Sequence, residues 1–284
     1  MSPVFLGLTA ALCWGMSDWW ARGLSVALGS FRAQLWSQCA GLILLSVVVV
    51  VSGALLDAVH TGDGRAWWFC LLYATIIGLA ALCFFEAFGT GTLAVVAPIV
   101  GGYGAVTVAW SLLFGARPSA GTMAGLVVVV VGAVLSSVPP RGGAQAGASR
   151  GAAFAAAAAF LFGTGFFVLG REVAPSLGSL VPAFMSRLVG PLLLLGIGSA
   201  LGFSAAPPPP GKRWMAAASG LIAAVATVAT GLGSMGEGAA VTAVLGSLSV
   251  VVTLLIGRRV LRERLAPHQK LGVLLALVGI PLLA

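Results

Sequence analysis

Asp18 stands in CWGMSDWW (residues 13–20), within a stretch otherwise apolar enough to cross a membrane. A carboxylate there either binds a proton or cation or completes an ion pair. Arg22 follows one turn later on the same helical face. Two readings therefore stand: a structural pair with Arg22 snorkelling to the interface, or a coupling carboxylate at a cavity mouth. Arg187, in MSRLVG (185–190), lies about 10 Å into another apolar stretch. An unpaired guanidinium there costs at least about 2.5 kcal/mol. It needs Glu172 or Glu237 beside it, or it clamps a substrate carboxylate or phosphate in a bidentate way. Glu86, near the end of a third apolar stretch, either lines a cavity or sits at the interface. Glu237, in SMGEGAA, reads most simply as a solvated turn residue. Among the aromatics, Trp14 and Tyr103 lie deepest and are the best candidates for a cavity wall, ahead of Trp36 and Trp110. Trp67, Trp68 and Trp214, at segment starts, read as an interfacial belt.

These residues must be held by helices, because the composition leaves little else. The chain has 284 residues, 60% hydrophobic and 8% charged, with 40 glycines, and a mean hydropathy of +1.09. A soluble domain carries roughly 25% charged residues, so most of this chain faces lipid or itself. Ten stretches approach the about 20 apolar residues a transmembrane helix needs. They cover roughly 3–22, 32–54, 66–88, 92–114, 119–138, 151–170, 179–203, 214–235, 239–261 and 265–284. Proline, glycine and polar residues cluster between them, in LDAVHTGDGR, PPRGGAQAGASR and SAAPPPPGKR. The first stretch lacks a basic leader and an A-x-A site, so it reads as a retained helix. The four cysteines lie in apolar runs without C-x-x-C spacing and read as small core residues. Both histidines, His60 and His268, fall in predicted loops.

The chain also repeats itself. WSQCAG (36–41) aligns with MSRLVG (185–190), so Ser37 meets Ser186, Gln38 meets Arg187 and Gly41 meets Gly190. LGS recurs at 28–30 and 177–179, FGTGTLAVVAPI aligns with MGEGAAVTAVLG, and Gly125 and Gly132 fall on Gly272 and Gly279. The offset stays between about 147 and 149. Units of five helices cross in opposite senses, so the expected fold is an all-α membrane protein of ten transmembrane helices in two inverted five-helix repeats. The first unit spans 1–138, a linker 139–150 and the second unit 151–284. Inverted repeats build secondary transporters, with the site near the midplane between the halves. Pro98 with GGYG after it can open the fourth helix and free carbonyls for such a site.

The early aromatic–glycine pairs (Trp14-Gly15, Phe162-Gly163), GTLAVVAPIVGGYGAVTVAW and the RERLAPHQKLG turn resemble the drug/metabolite transporter superfamily, and within it the ten-helix EamA-type permeases. The resemblance covers essentially the whole chain. It implies a central cavity lined by the first four helices of each half, with the fifth packed outside. By position it brings Asp18, Trp14, Gln38, Tyr103, Arg187 and Phe166 near that cavity. It also implies export of a small metabolite such as an amino acid, or of a drug or other solute, from a bacterial-type inner membrane.

Eleven basic residues follow odd-numbered stretches and only Arg65, Arg117 and Arg171 follow even-numbered ones. Basic loops stay cytoplasmic, which places both termini outside, opposite to what the superfamily implies. The net charge of +8 is spread over short loops, so a nucleic-acid partner is not expected. GLGSMG (231–236) is a literal G-x-G-x-x-G, but it ends an apolar helix, where small residues serve packing. GTMAG (121–125) packs helices or supports a homodimer. No Walker loop, metal triad or Ser-His-Asp set occurs, so no cofactor or metal is expected. The expected partners are a small-molecule substrate and the lipid bilayer, with proton or exchange coupling. An intramembrane enzyme would need more clustered polar groups, and a scaffold would not need a duplicated cavity or a buried Arg187.

Overall fold

Short polar caps and glycines decide where the helices begin and end. In the computed structural model, which describes residues 2–91, 93–138, 148–235, 238–261, 267–279 and 282, the first half opens with α1 (Pro3–Leu28), whose N-cap Ser2 accepts from the Phe5 amide. There follow α2 (Ser30–Ser52), a short α3 (Ala54–Thr61), and α4 (Gly64–Thr90), capped by Asp63 accepting from the Ala66 amide at 2.7 Å. Next come α5 (Leu93–Gly101), α6 (Tyr103–Leu113) and α7 (Ala120–Ser137). The second half holds α8 (Ala148–Val168), a π-helical turn at Leu169–Val173, α9 (Ala174–Leu177), α10 (Leu180–Leu201), α11 (Pro210–Gly233), α12 (Ala239–Gly246), α13 (Ser249–Leu261) and α14 (Pro267–Gly279). No strand occurs among the described residues.

Six of these segments are long and apolar enough to cross a membrane: Ser30–Ser52, Gly64–Thr90, Arg150–Leu177, Leu180–Leu201, Pro210–Gly233 and Ala239–Gly257. Their outward faces carry exposed Ile43, Val47, Val50, Leu192 and Leu221, a surface that suits lipid and not water. Inward faces are lined with alanine: Ala33, Ala74, Ala80, Ala155, Ala158, Ala224 and Ala226 are fully buried. Small side chains let helices approach closely, which is how membrane helices associate.

The sequence repeat is visible in the backbone. Gly29 and Gly178, equivalent residues of the two LGS motifs, both have positive φ (82° and 68°) and turn the chain into the next helix. Gly53 and Gly202 close α2 and α10 in the same left-handed way. The packing obeys the same exchange. α1 lies on α11 as α8 lies on α4, and α2 lies on α11 as α10 lies on α4. Two pairs, α2 with α10 and α7 with α14, join equivalent helices directly.

Several expectations change. α1 runs six residues past its predicted end because Gly29 is the first breaker. His60 lies in α3 and His268 in α14, not in loops, with ring nitrogens on the Leu56 and Val138 carbonyl oxygens. Of the cysteines only Cys70 is buried; Cys13, Cys39 and Cys83 are half-buried. Trp68 and Trp214 are exposed, as a belt requires, but Trp67 packs partly into the core.

Candidate functional site

The aromatic–glycine pairs act first through their glycines. A Cβ on Gly15 would stand 2.5 Å from Val252 Cβ, and one on Gly163 would stand 2.5 Å from Val106 Cβ. Only glycine lets α1 lie this close to α13, and α8 to α6. At each contact a threonine hydroxyl donates to the glycine carbonyl: Thr253 to Gly15 at 3.1 Å, and Thr107 to Gly163 at 3.0 Å. Where these contacts form, the spans they grip are broken. α5 gives way to α6 at Gly102, and α12 to α13 at Ser247–Leu248, at equivalent places in the two halves. Broken spans at matching positions mark binding sites in inverted-repeat transporters. The Pro98 side chain, expected to open the fourth span, lies outside the described residues; the second break has no proline within five residues.

Between the halves is a cavity of about 100 Å³. One wall is aromatic. Trp14 of α1 meets Phe166 of α8 at 5.3 Å and Tyr103 of α6 edge-on at 6.0 Å, and Phe162 stacks on Phe166 at 6.0 Å. The rest is polar: Ser17 and Asp18 of α1, Ser37 and Gln38 of α2, Tyr73 of α4, Arg187 of α10, Ser219 and Thr227 of α11 and Ser249 of α13. Ser17 and Ser219 tie α1 to α11, the Ser17 hydroxyl donating to the Ser219 carbonyl at 3.0 Å.

Arg187 is held from two sides. Its Nη1 donates to Gln38 Oε1 at 2.6 Å and its Nη2 to Thr227 Oγ1 at 3.3 Å. Gln38 and Arg187 are repeat equivalents, so the pair straddles the pseudo-twofold axis. The neighbouring glycines reciprocate: a Cβ on Gly41 would press the Arg187 stem at 3.3 Å, and one on Gly190 would press Gln38 Nε2 at 3.1 Å. Arg187 Nε, Ser37 Oγ and Tyr103 Oη are buried with no hydrogen-bond partner among the described residues, and Tyr73 Oη is buried beside Ser186. Tyr73, Tyr103 and Ser37 are 0%, 4% and 3% exposed. Buried polar groups normally find partners, and three without one among the described residues lie on this one lining.

Of the residues singled out in the sequence, Trp14, Asp18, Gln38, Tyr103 and Arg187 converge on this cavity. Glu86 does not; it takes a salt bridge from Arg150 at 3.1 Å, the interfacial alternative. Glu172 is not the partner of Arg187, because Arg65 and Arg171 occupy it at 2.9 and 3.2 Å. Glu237 lies outside the described residues, as do residues 262–266 of the RERLAPHQKLG turn. The ion pairs of the described residues do not include Asp18 with Arg22. Trp36 donates to the Ala206 carbonyl and Trp110 to Thr164 Oγ1, both away from the cavity lining. The glycine motifs serve packing: a Cβ on Gly231 would meet Ser179 at 2.9 Å, and one on Gly279 would meet the Gly125 carbonyl at 3.2 Å. Gly125 of GTMAG thus faces α14 of the same chain. Sequence reading missed Tyr73, Ser17, Ser219 and the Thr107/Thr253 pair. Only the threonines left a signal, recurring in each half beside a broken span.

The model of the EamA-like transporter family matches residues 1–138 and again 149–284. The chain belongs to that family. No curated protein sequence matches it. A protein of known crystal structure superposes with a TM-score of 0.74 over 99% of this chain and 95% of its own, at 15% identity, and so shares its fold. Membership and the six apolar spans make this a multi-pass membrane protein of a transporter family.

Proposed function

We propose that the chain is a secondary transporter of ten membrane crossings, exporting a small polar metabolite such as an amino acid by alternating access. Four further elements complete the crossings: α1, the α5–α6 pair, α7 and α14. The boundaries are those of the repeat, 1–138 and 151–284 around a linker. The observation that carries the reading is the cavity on the pseudo-twofold axis, with the carboxylate of Asp18 and the guanidinium of Arg187 on a single lining and an aromatic wall beside them. A solute bearing both an ammonium and a carboxylate matches such a lining. The aromatic wall favours a second reading, a permease for flat apolar drugs, in which Arg187 is dispensable.

Several lining residues lie in the halves of their helices nearer the basic loops. Asp18 and Ala21 come late in α1 near Arg22, Gln38 comes early in α2 near Arg32, and Ser219 early in α11 near Lys212 and Arg213. Basic loops are cytoplasmic in an inner membrane, which supports loading from the cytoplasm. The two threonine–glycine contacts serve as pivots, and the Ser17–Ser219 bridge parts and reforms as the halves rock. Asp18 exchanges a proton or cation with the outside, or substrate exchange drives the cycle. Comparing metabolites in medium and cell interior, with and without overexpression at matched membrane levels, tests the reading. A zwitterionic compound enriched outside, then carried saturably by proteoliposomes, supports it. Equal profiles and no saturable flux of the candidate compounds reject export.

A further inference from the structure

A second and larger cavity, of about 380 Å³, lies at the end of the bundle away from most of the basic residues. Its walls are the last turn of α6, the 115–118 loop, the start of α7, the π-helical turn and the start of α12. Leu112, Phe114, Leu126, Phe167 and Val241 make it largely apolar, and Leu112 and Phe114 are exposed at its lip. Two arginines, Arg117 and Arg171, complete the lining.

Two arginines on an apolar lining give this crevice its meaning. The sequence assigns three cations to this face, Arg65, Arg117 and Arg171; Arg117 and Arg171 line the crevice, and Arg65 shares the carboxylate of Glu172 with Arg171. Glu172 takes Arg65 at 2.9 Å and Arg171 at 3.2 Å, and no further ion pair to these arginines occurs among the described residues. The nearby acid Asp63 is occupied in capping α4, and Asp57, in α3, is not ion-paired to any of the three arginines. Arg117, on the lining, makes no ion pair among the described residues. Arg171 is fixed in place: Nη1 donates to the Phe114 carbonyl at 3.1 Å, and the guanidinium lies 5.2 Å above the Phe114 ring. The π-helical turn sets this arrangement, since it carries both Gly170 and Arg171 into the wall. Such single-turn bulges collect at functional sites.

We propose that this crevice binds an anionic phospholipid, its phosphate between Arg117 and Arg171 and an acyl chain along Leu112 and Leu126. Arginine forks fit phosphate oxygens, and basic pockets between membrane helices take anionic headgroups. A free anion would have no use for the apolar walls, and the site is independent of what the central cavity carries.

Native mass spectrometry of the full-length protein in detergent, titrated with phosphatidylglycerol or phosphatidylcholine, tests this. The wild type should retain one phosphatidylglycerol and little phosphatidylcholine. Arg117→Gln should lower that occupancy about fivefold, the effect expected of one interfacial arginine. Lys212→Gln, which removes a charge from the opposite face, should leave it unchanged. Arg117 is exposed, so its variant keeps the fold. Equal retention of the two lipids, or equal phosphatidylglycerol binding by wild type and Arg117→Gln, overturns the site. Displacement of the lipid by millimolar inorganic phosphate overturns it in favour of a free-anion site.

Discussion

Arg187 spends two of its three nitrogens on Gln38 and Thr227, and its Nε, on the lining shared with Tyr73 and Ser37, has no hydrogen-bond partner among the described residues. Under the zwitterion reading, Arg187→Gln should remove selectivity for carboxylate-bearing solutes while flux of neutral analogues persists. An unchanged substrate profile would reject the clamp. Asp18→Asn should reach the membrane at normal levels yet lower transport, and normal flux by that variant across a range of pH would exclude Asp18 from coupling. These two residues were legible in the sequence because charge inside an apolar run is costly and seldom accidental. Tyr73, Ser17 and Ser219 were not, because tyrosine and serine are common in membrane helices and only the tertiary contacts distinguish these copies. Arg187's true partner escaped for another reason. An acidic partner on the same membrane side was sought, whereas the repeat supplies an amide from 149 positions away.

At the scale of helices, the contacts of α1 on α13 and of α8 on α6 set the geometry of the cavity. Gly15→Val should cost about 1–3 kcal/mol by overpacking, since backbone must shift to admit the new side chain, and should lower the melting temperature in detergent. Gly196→Ala, in α10, is the control. A Cβ there meets nothing within 4 Å, so stability should hold or rise by up to about 1 kcal/mol from helix propensity. Equal melting of both variants would show that the close approach at Gly15 contributes nothing. Element positions were legible from hydropathy and breakers. The interruptions were legible only in the first half, where GGYG marks the break. In the second half GSLS performs the same turn without a helix-breaking signature.

For the whole molecule, the repeat was the most readable feature, carried by glycines that recur because the same left-handed turns and close packing recur. The basic residues predict an orientation with both termini outside. A cysteine at Ser204, in the loop after α10, should resist an impermeant maleimide in intact cells, while one at His60 should react. The reverse pattern would invert the assignment, and with it the side from which the central cavity loads.

The pairing of Gln38 with Arg187 also says something about ancestry. Two identical copies assembled around a twofold axis must present the same residue to each other there. Arginine would then face arginine and glutamine would face glutamine. One charge opposite one neutral amide is available only once the two copies differ in sequence, whether or not they are joined. The positive pole of the cavity is therefore a product of divergence between the halves, and strict symmetry would forbid it.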